Sequence, residues 1–399
     1  MGVATLTEYS RRNIFFYLAY TIWAIVAFTN TTYISVEIIN FRPLFYCVPI
    51  LLLLQEIFRE NTVKNQSYLL LIVLFSLCFA IYEAGGIVPI SISILLYGSR
   101  DADFKKIIKI TLYVVFICLI ITIFLSLTGI ITNEIGYKEN TSLIRYSLGF
   151  TGRTYASYNI VVLSALCVAL YNKKLPNSII LLLIILNVFI YIQTRTRNGM
   201  LIVFLIITVG ILNKLSFLNK IFNFIKKRIY LKFICMNIYI ICAIIMFSLT
   251  FMFKFDMIGT EFINKILSYR LSFASEAISQ FGIPIFGTPI SWETLSYIVD
   301  SSYIRTCFDY GLVVLILYLV ATVKVLGILF KKEEFLLIFI IFIYAIHVSF
   351  DPDMLVLYLN PFTFLMVNKE FLAECDDKSK CVCKKLLKER GLRWESWTR

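Results

Sequence analysis

Long apolar blocks separated by short polar stretches are the feature that most limits how this chain can fold. A hydrocarbon core about 30 Å thick needs roughly 20 apolar residues in a helix, and a helix satisfies the backbone hydrogen bonds that lipid cannot. The blocks cover approximately residues 13–31, 42–58, 67–84, 86–98, 107–130, 154–171, 178–193, 199–213, 230–251, 303–330, 335–350 and 353–367. This pattern predicts an all-α, polytopic integral membrane protein with about twelve transmembrane helices.

Composition excludes an ordinary soluble domain. Only 16% of the 399 residues are charged, whereas a soluble domain needs roughly a quarter to cover its surface. The net charge of +13 would suggest nucleic acid in a soluble protein. In a membrane protein it is better explained by the Lys and Arg that collect in cytoplasmic loops, so no nucleic-acid partner is expected.

The distribution of basic residues predicts the orientation. With the N-terminus inside, the inner connections carry Lys105–Lys106, Lys173–Lys174, Lys226–Arg228 and Lys331–Lys332, and the outer connections are poorer in Lys. This alternation follows the positive-inside rule. It predicts a transmembrane domain over residues 1–368 and a basic cytoplasmic tail over 369–399, with both termini in the cytoplasm.

The basic residues left on the outer side are mostly arginines, whose planar fork matches phosphate in bidentate fashion. They are Arg145, Arg153, Arg195, Arg197, Arg270 and Arg305. The first five fall in three outer segments, namely 131–153, 192–199 and the long loop at about 252–302, and Arg305 follows that loop. Within the long loop, Phe262, Ile266, Tyr269, Phe273 and Ile278 recur at near-helical spacing, which predicts one interfacial amphipathic helix.

Two arginine pairs are candidate anion-binding groups. The sequence Thr-Arg-Thr-Arg-Asn-Gly at 194–199 opens an apolar block, so Arg195 and Arg197 could form a clamp at a helix N-terminus. Snorkelling arginines are the alternative. Arg145 and Arg153 flank Gly149 and Gly152, which permit an irregular backbone; an ordinary loop with interfacial anchors is the alternative there.

Asp300 and His347 are the candidate proton-transfer groups. Asp300 stands at the outer end of a span, where it would act either as a helix cap or as a general base. His347 is the one histidine in the chain. An intramembrane histidine is a functional candidate by default, and a structural hydrogen-bonding role is the alternative.

Familiar cofactor motifs are missing from the sequence. It has no Walker loop, no GxGxxG dinucleotide fingerprint, no HExxH zinc motif and no nucleophile elbow. One histidine also excludes multi-histidine metal sites of familiar type. We therefore expect neither a metal nor a cofactor.

Four motifs between about 140 and 315 give the chain a family resemblance. They are Arg145-x-Ser-Leu-Gly-Phe, Thr-x-Thr-Arg197 at the start of a span, Tyr-Arg270-Leu-Ser-Phe followed by Ile-Phe-Gly287, and Asp300-Ser-Ser-Tyr before Tyr-Gly311-Leu. With these motifs in this order, the chain resembles the bacterial O-antigen and capsular polysaccharide repeat-unit polymerases, which are related to the O-antigen ligases. The chain departs from the family pattern in two places. No Pro-Asn follows Phe150, and Asp300 stands where the ligases have a histidine.

The resemblance implies a metal-independent glycosyltransferase in the bacterial cytoplasmic membrane. Its substrate would be an oligosaccharide repeat unit linked to undecaprenyl diphosphate, polymerised at the outer face with release of that carrier. Arg197 and Arg195, then Arg270, Arg145 and Arg153, would bind the diphosphate and sugar. Asp300, then His347, would be the base. Membrane lipid, a chain-length regulator and a flippase are the implied partners.

Three other functions fit the same sequence. A flippase for lipid-linked sugars would also use about twelve spans and cavity arginines, and the short Gly/Pro block at 86–98 favours a transporter. An O-antigen ligase would share the mechanism but differ in its product. A non-enzymatic scaffold would have no need for arginines at several span mouths on one face.

Overall fold

The structure is a computed structural model that describes residues 13–57, 87–137, 143–288, 290, 292, 295, 297–352 and 354–372. The predicted span at 67–84 and nearly all of the predicted tail at 369–399 lie outside the described residues.

Helices make up most of the described chain. Their bounds are α1 Ile14–Thr29, α2 Ile34–Glu37, α3 Cys47–Ile57, α4 Ile87–Gly98, α5 Phe104–Leu127, α6 Tyr155–Tyr171, α7 Asn177–Thr194, α8 Arg197–Lys214, α9 Phe217–Lys227, α10 Ile229–Met236, α11 Ile238–Lys254, α12 Thr260–Ile266, α13 Arg270–Phe281, α14 Ser302–Tyr310, α15 Leu312–Lys332 and α16 Phe335–His347. One antiparallel hairpin joins β1 Ile135–Tyr137 to β2 Ile144–Tyr146, with Gly136 opposite Arg145.

Several of these helices suit a membrane. Within the described ranges, five are long and apolar enough to cross a bilayer, namely α5, α6 with the short turn that follows it, α7, α8 and α15. Helices α10 and α11 would make a sixth span if the pair, bent by 70°, is counted as one. The prediction of a predominantly helical membrane protein is confirmed, and the total of about twelve spans stays a prediction.

Helix α6 is the centre of the bundle. Thirteen consecutive residues, Ala156–Val168, are buried, so this helix has no face left for lipid. It packs against α5, α7, α8 and α16. Gly199 on α8 allows the closest approach, because a Cβ there would lie 1.9 Å from the Oγ of Ser157 on α6. Small residues at such crossings are the usual means of packing helices in membranes.

The long helices alternate in direction, so their ends form two groups. At one end Arg145 donates to the carbonyl of Thr194, and Asn198 donates to Asp351. At the other end Lys226 pairs with Glu333, and Lys332 donates to the carbonyl of Phe371. We call the first the arginine end, which carries Arg145, Arg153, Arg195, Arg197, Arg270 and Arg305. We call the second the lysine end, which carries Lys105, Lys173, Lys174, Lys214, Lys226, Lys227, Lys331 and Lys332.

The predicted span at 353–367 is wrong as an α-helix. Its described residues form turns followed by a six-residue 3₁₀-helix, Pro361–Met366, with all of Pro361–Leu365 buried. Asn360 makes the turn possible because its side chain donates to the carbonyl of Met354 and to the Tyr318 hydroxyl. Non-helical backbone is tolerated at membrane depth only where protein surrounds it in this way.

The predicted span at 303–330 is two helices rather than one. Gly311, with φ of +95°, separates α14 from α15. A Cβ on Gly311 would lie 2.4 Å from the carbonyl oxygen of Ile285, so the break lets the 284–288 segment approach the backbone. That segment caps α15, since the amides of Leu312 and Val313 donate to the carbonyls of Pro284 and Ile285.

The single amphipathic helix predicted in the long loop is also wrong. Ser268 and Tyr269 adopt left-handed φ values of 56° and 63° and divide it into α12 and α13. The physical reason is Asn264, whose Oδ1 accepts hydrogen bonds from the amides of Leu271 and Ser272 and so caps α13 from the preceding helix.

Candidate functional site

The 194–199 turn is the centre of the arginine end. Arg195 closes α7 in a left-handed conformation with φ of 55°, and the exposed Arg197 is the first residue of α8. Among the described residues, neither arginine has an acidic partner, and the Nε of Arg195 is buried without a hydrogen bond. Two cations are therefore available where the N-terminus of α8 adds its own positive potential.

The next residue, Asn198, ties this turn to a buried polar group. Its Nδ2 donates to Oδ2 of Asp351 at 2.7 Å, and the same carboxylate oxygen lies 2.9 Å from Nδ1 of His347. The His347 and Asp351 side chains are 3% and 1% exposed. Both side chains therefore lie in the core, where they link the 194–199 turn to the segment around Asp351.

A third segment joins the same buried group through Ser302. The Oγ of Ser302 donates to the Asp351 carbonyl and accepts from the amide of Met354. Asp300 lies two residues earlier, so the Asp351 loop fixes the entry to α14 and with it the position of Asp300.

Arg270 and Asp300 form the adjacent ion pair. The Nε of Arg270 lies 3.2 Å from Oδ2 of Asp300 and donates to the Phe350 carbonyl at 3.1 Å. The Asp300 side chain keeps a third of its surface exposed, against 16% for Arg270. A paired carboxylate that still reaches solvent can exchange a proton with a bound molecule.

Although a third of the Asp300 side chain is exposed, the protein packed around its carboxyl group excludes enough water to raise the pKa of Asp300 to about 6. The positive charges of Arg270 and Arg305 lower the pKa, and the negative charge of Asp351 raises it. The net effect places the pKa of this carboxyl close to neutral pH. A carboxylate with such a pKa is ionised at neutral pH and is also basic enough to accept a proton.

Arg145 and Arg153 lie beside this group with partners of their own. Arg145 on β2 donates from Nε to the Thr194 carbonyl at 2.7 Å, where it satisfies the C-terminus of α7. Arg153 pairs with Glu134 at 2.6 Å and packs so closely over Gly136 that a Cβ there would lie 2.1 Å from its Cζ. Arg145 supports the 194–199 turn, and Arg153 holds the hairpin.

Arg305 and Trp292 form a second cluster at this end. The guanidinium of Arg305 lies 4.3 Å from the Trp292 ring centroid, and both residues bind Asp309, at 3.0 and 2.7 Å respectively. No sequence pattern predicted a role for Trp292, since a single aromatic residue in an irregular loop has no periodicity.

An apolar groove opens between α11 and α15 and extends to the long loop. It has a volume of about 620 Å³. Its lining includes Phe247, Phe251, Phe255, Leu312, Leu315 and Leu319. Phe255 directly follows α11 and Leu312 begins α15, so one end of the groove lies at the arginine end, where α13 packs against α11.

The structure brings together the predicted 194–199, Arg270, Asp300 and His347 segments, although they span more than 150 residues of sequence. It leaves Arg153 paired elsewhere. The sequence did not predict that Asn198 contacts Asp351. Nor did it predict that the Phe350 carbonyl accepts from Arg270, because a backbone group leaves no mark in the residue types. Comparisons with family models, curated proteins and solved structures found no match.

Proposed function

We propose that this protein polymerises undecaprenyl-diphosphate-linked oligosaccharide repeat units into O-antigen or capsular polysaccharide. It would do so at the outer face of the bacterial cytoplasmic membrane, with about twelve spans and both termini inside. The observation that carries the proposal is one end of the bundle where two unpaired arginines, an ion-paired carboxylate and an apolar groove occur together. These are the chemical requirements of a diphosphate, a nucleophilic hydroxyl and a lipid tail.

In the proposed step, a sugar hydroxyl of one lipid-linked unit attacks the anomeric carbon of the growing chain. The new carbon–oxygen bond forms while the bond from that carbon to the diphosphate oxygen breaks, and undecaprenyl diphosphate leaves with the electron pair. Asp300 takes the proton of the attacking hydroxyl. The hydroxyl is a poor nucleophile while protonated, so a base with a pKa near 6 assists the attack at neutral pH.

Arg197 and Arg195 would stabilise the charge that develops on the leaving diphosphate. A charge-assisted hydrogen bond contributes about 1.5–3 kcal/mol, and donors that are already in place stabilise a transition state without reorganisation. Arg270 would keep Asp300 ionised and oriented. The buried Asn198–Asp351–His347 group would hold the arginine turn and the Asp300 segment at a fixed separation.

Deleting the gene in its host and separating the surface polysaccharide on a gel tests the proposal. We expect the ladder of long chains to collapse to single repeats. Full-length polymer left on its lipid carrier would instead identify a ligase, and repeat units trapped inside would identify a flippase. An unchanged ladder in a host with no second copy of the activity would contradict all three functions.

Complementation with Arg197→Ala tests the site. We expect shorter chains and a slower polymerisation rate, by about tenfold to a hundredfold, because one charge-assisted hydrogen bond to the leaving group is lost. Lys265→Gln is the matched control, since Lys265 lies at the same end and its side chain is 61% exposed. Unchanged polymer length with Arg197→Ala would exclude the arginine from the clamp.

A further inference from the structure

The segment from Lys214 to Lys232, at the lysine end, has an unusual composition. It carries Lys214, Lys220, Lys226, Lys227, Arg228 and Lys232 and has no acidic residue. It forms the end of α8, the whole of α9 and the start of α10, and the proposed glycosyl transfer uses none of it.

Helix α9 is fixed to the bundle by one face. Leu218 and Phe222 are each 1% exposed, and the Phe222 ring lies 5.3 Å from that of Phe330 and 4.1 Å from that of Phe335. Lys226 pairs with Glu333 in the turn between α15 and α16. These contacts hold α9 against the ends of two apolar helices, at the level where a membrane-crossing α15 would leave the bilayer.

The opposite face of α9 combines exposed rings with cations. Phe217 and Phe224 stand two turns apart and are 47% and 57% exposed. The Nζ of Lys220 lies 5.9 Å from the Phe217 ring centroid, and the guanidinium of Arg228 lies 5.7 Å from that of Phe224. Within the described residues, Lys220, Lys227, Arg228 and Lys232 have no acidic partner.

Helix α10 continues this surface with apolar side chains. None of its eight residues is buried, and Ile229, Tyr230 and Phe233 are 74%, 81% and 64% exposed. It meets α11 at a bend of 70°, so if α11 crosses a bilayer then α10 lies nearly in its plane. Exposed apolar rings among cations are costly in water, whereas the headgroup region of an anionic leaflet satisfies both.

We propose that the surface formed by Phe217, Lys220, Phe224, Lys227, Arg228 and Lys232 binds the headgroups of anionic phospholipids in the leaflet at the lysine end. The rings enter the acyl boundary and the four cations bind lipid phosphates. Charge complementarity selects anionic over zwitterionic lipid, and the continuous apolar surface of α10 selects a bilayer over an acidic soluble protein. This inference does not depend on the proposed polymerase activity.

Electron spin resonance of spin-labelled lipids tests the proposal on the full-length protein. The protein is reconstituted in phosphatidylcholine vesicles that contain trace spin-labelled phosphatidylglycerol or trace spin-labelled phosphatidylcholine. The quantity measured is the ratio of the association constants of the two lipids for the protein. We expect the wild-type protein to prefer phosphatidylglycerol and the preference to weaken as salt screens the charges.

The test variant combines Lys220→Gln, Lys227→Gln, Arg228→Gln and Lys232→Gln, which leaves Phe222 and Lys226 in place to hold α9. We expect the preference for phosphatidylglycerol to fall by about threefold or more. The control combines Lys105→Gln, Lys109→Gln, Lys173→Gln and Lys174→Gln, which removes four exposed cations from the same end and should retain most of the preference. Gel filtration confirms that each variant keeps its fold.

Three outcomes would overturn the proposal. One is an unchanged preference in the test variant, and another is an equal loss in the control, which would assign the effect to net charge alone. The third is a test variant that changes the oligomeric mass but not the lipid preference, since that result would make the surface a contact between two copies of the chain.

Discussion

The two ends of the helices hold their cations in different ways. At the arginine end the ion pairs Arg270–Asp300 and Arg305–Asp309 are sheltered, and no side chain in them is more than 33% exposed. At the lysine end Lys226 and Glu333 are each about half exposed. Arg100 shows whether position or residue type matters more. It lies at the lysine end, yet its side chain pairs with Glu56 and is only 7% exposed. Among these ion pairs, residue type therefore predicts the exposure of the cation better than its position does.

The difference follows from the chemistry of the two cations. The planar guanidinium is weakly hydrated and bonds to several oxygens in one plane, so it can be sheltered inside a polar group, whereas the ammonium is strongly hydrated. An end rich in arginine is suited to binding a specific anion. An end rich in lysine is suited to many exchangeable contacts with a charged surface.

The largest expected difference between the two ends concerns their carboxylates. Asp300→Asn should reduce the polymerisation rate by at least about a hundredfold, because the amide cannot accept the hydroxyl proton. Glu333→Gln is the matched control at the lysine end and should leave the rate nearly unchanged. The rate is measured from the formation of polymer from lipid-linked repeats by membranes that contain each variant. Equal rates for Asp300→Asn and wild type would exclude Asp300 as the base.

The next effect is on the pH dependence of the rate. In the proposed mechanism Asp300 must be ionised to act as the base, so we expect activity above its pKa and a loss of activity as pH falls through about 6. Arg270 lowers the pKa of Asp300, so Arg270→Gln should move the acid limb to higher pH, and Arg270→Lys should partly restore it. Arg153→Gln removes a paired arginine from the same end and should leave the limb in place. If Arg270→Gln left the acid limb of the pH profile at the same pH, Arg270 would have no influence on the proton transfer.

A smaller effect concerns the helix crossing that positions the arginine turn. Gly199→Ala places a Cβ 1.9 Å from the Oγ of Ser157 and should lower the free energy of unfolding by about 1–3 kcal/mol. Ser157→Ala removes that oxygen, so the double variant should recover much of the loss. Thermal denaturation in detergent measures the stability of the two single variants and of the double variant. If the double variant recovered no stability, the loss caused by Gly199→Ala would not come from its contact with Ser157.

The smallest effect belongs to the exposed pair at the lysine end. Lys226→Gln should change the free energy of unfolding by only about 0–1 kcal/mol, because water screens a half-exposed ion pair. The same denaturation experiment measures it, with Lys232→Gln as the unpaired control. A loss comparable to that of Gly199→Ala would mean that the two ends do not differ in this respect.

Much of the fold was predictable because lipid imposes a simple rule on the sequence. The blocks at 107–130, 154–171, 178–193 and 199–213 correspond to α5, α6, α7 and α8 within a few residues. The rule fails where protein takes the place of lipid. The block at 353–367 is as apolar as a span, but burial among other helices allows it to turn instead.

The candidate site was predictable in part. Arginines at the mouths of spans are conspicuous because a charge there is costly, so Arg195, Arg197 and Arg270 were candidates from the sequence alone. That their segments meet at the same end of the bundle is seen only in the structure. Their partners were not predictable. The Phe350 carbonyl belongs to the backbone, and the contact of Asn198 with Asp351 joins residues 153 positions apart, a separation that no local pattern can report.

The sequence by itself determined that this is a helical membrane protein with arginine-bearing segments and lysine-bearing connections, because hydrophobic length and charge are local properties of the chain. The tertiary structure decided which of those arginines are paired, which carboxylate keeps access to solvent, and where the helices break. Those outcomes depend on the neighbours that packing supplies, and packing sets both the exposure of a charge and the space beside a glycine.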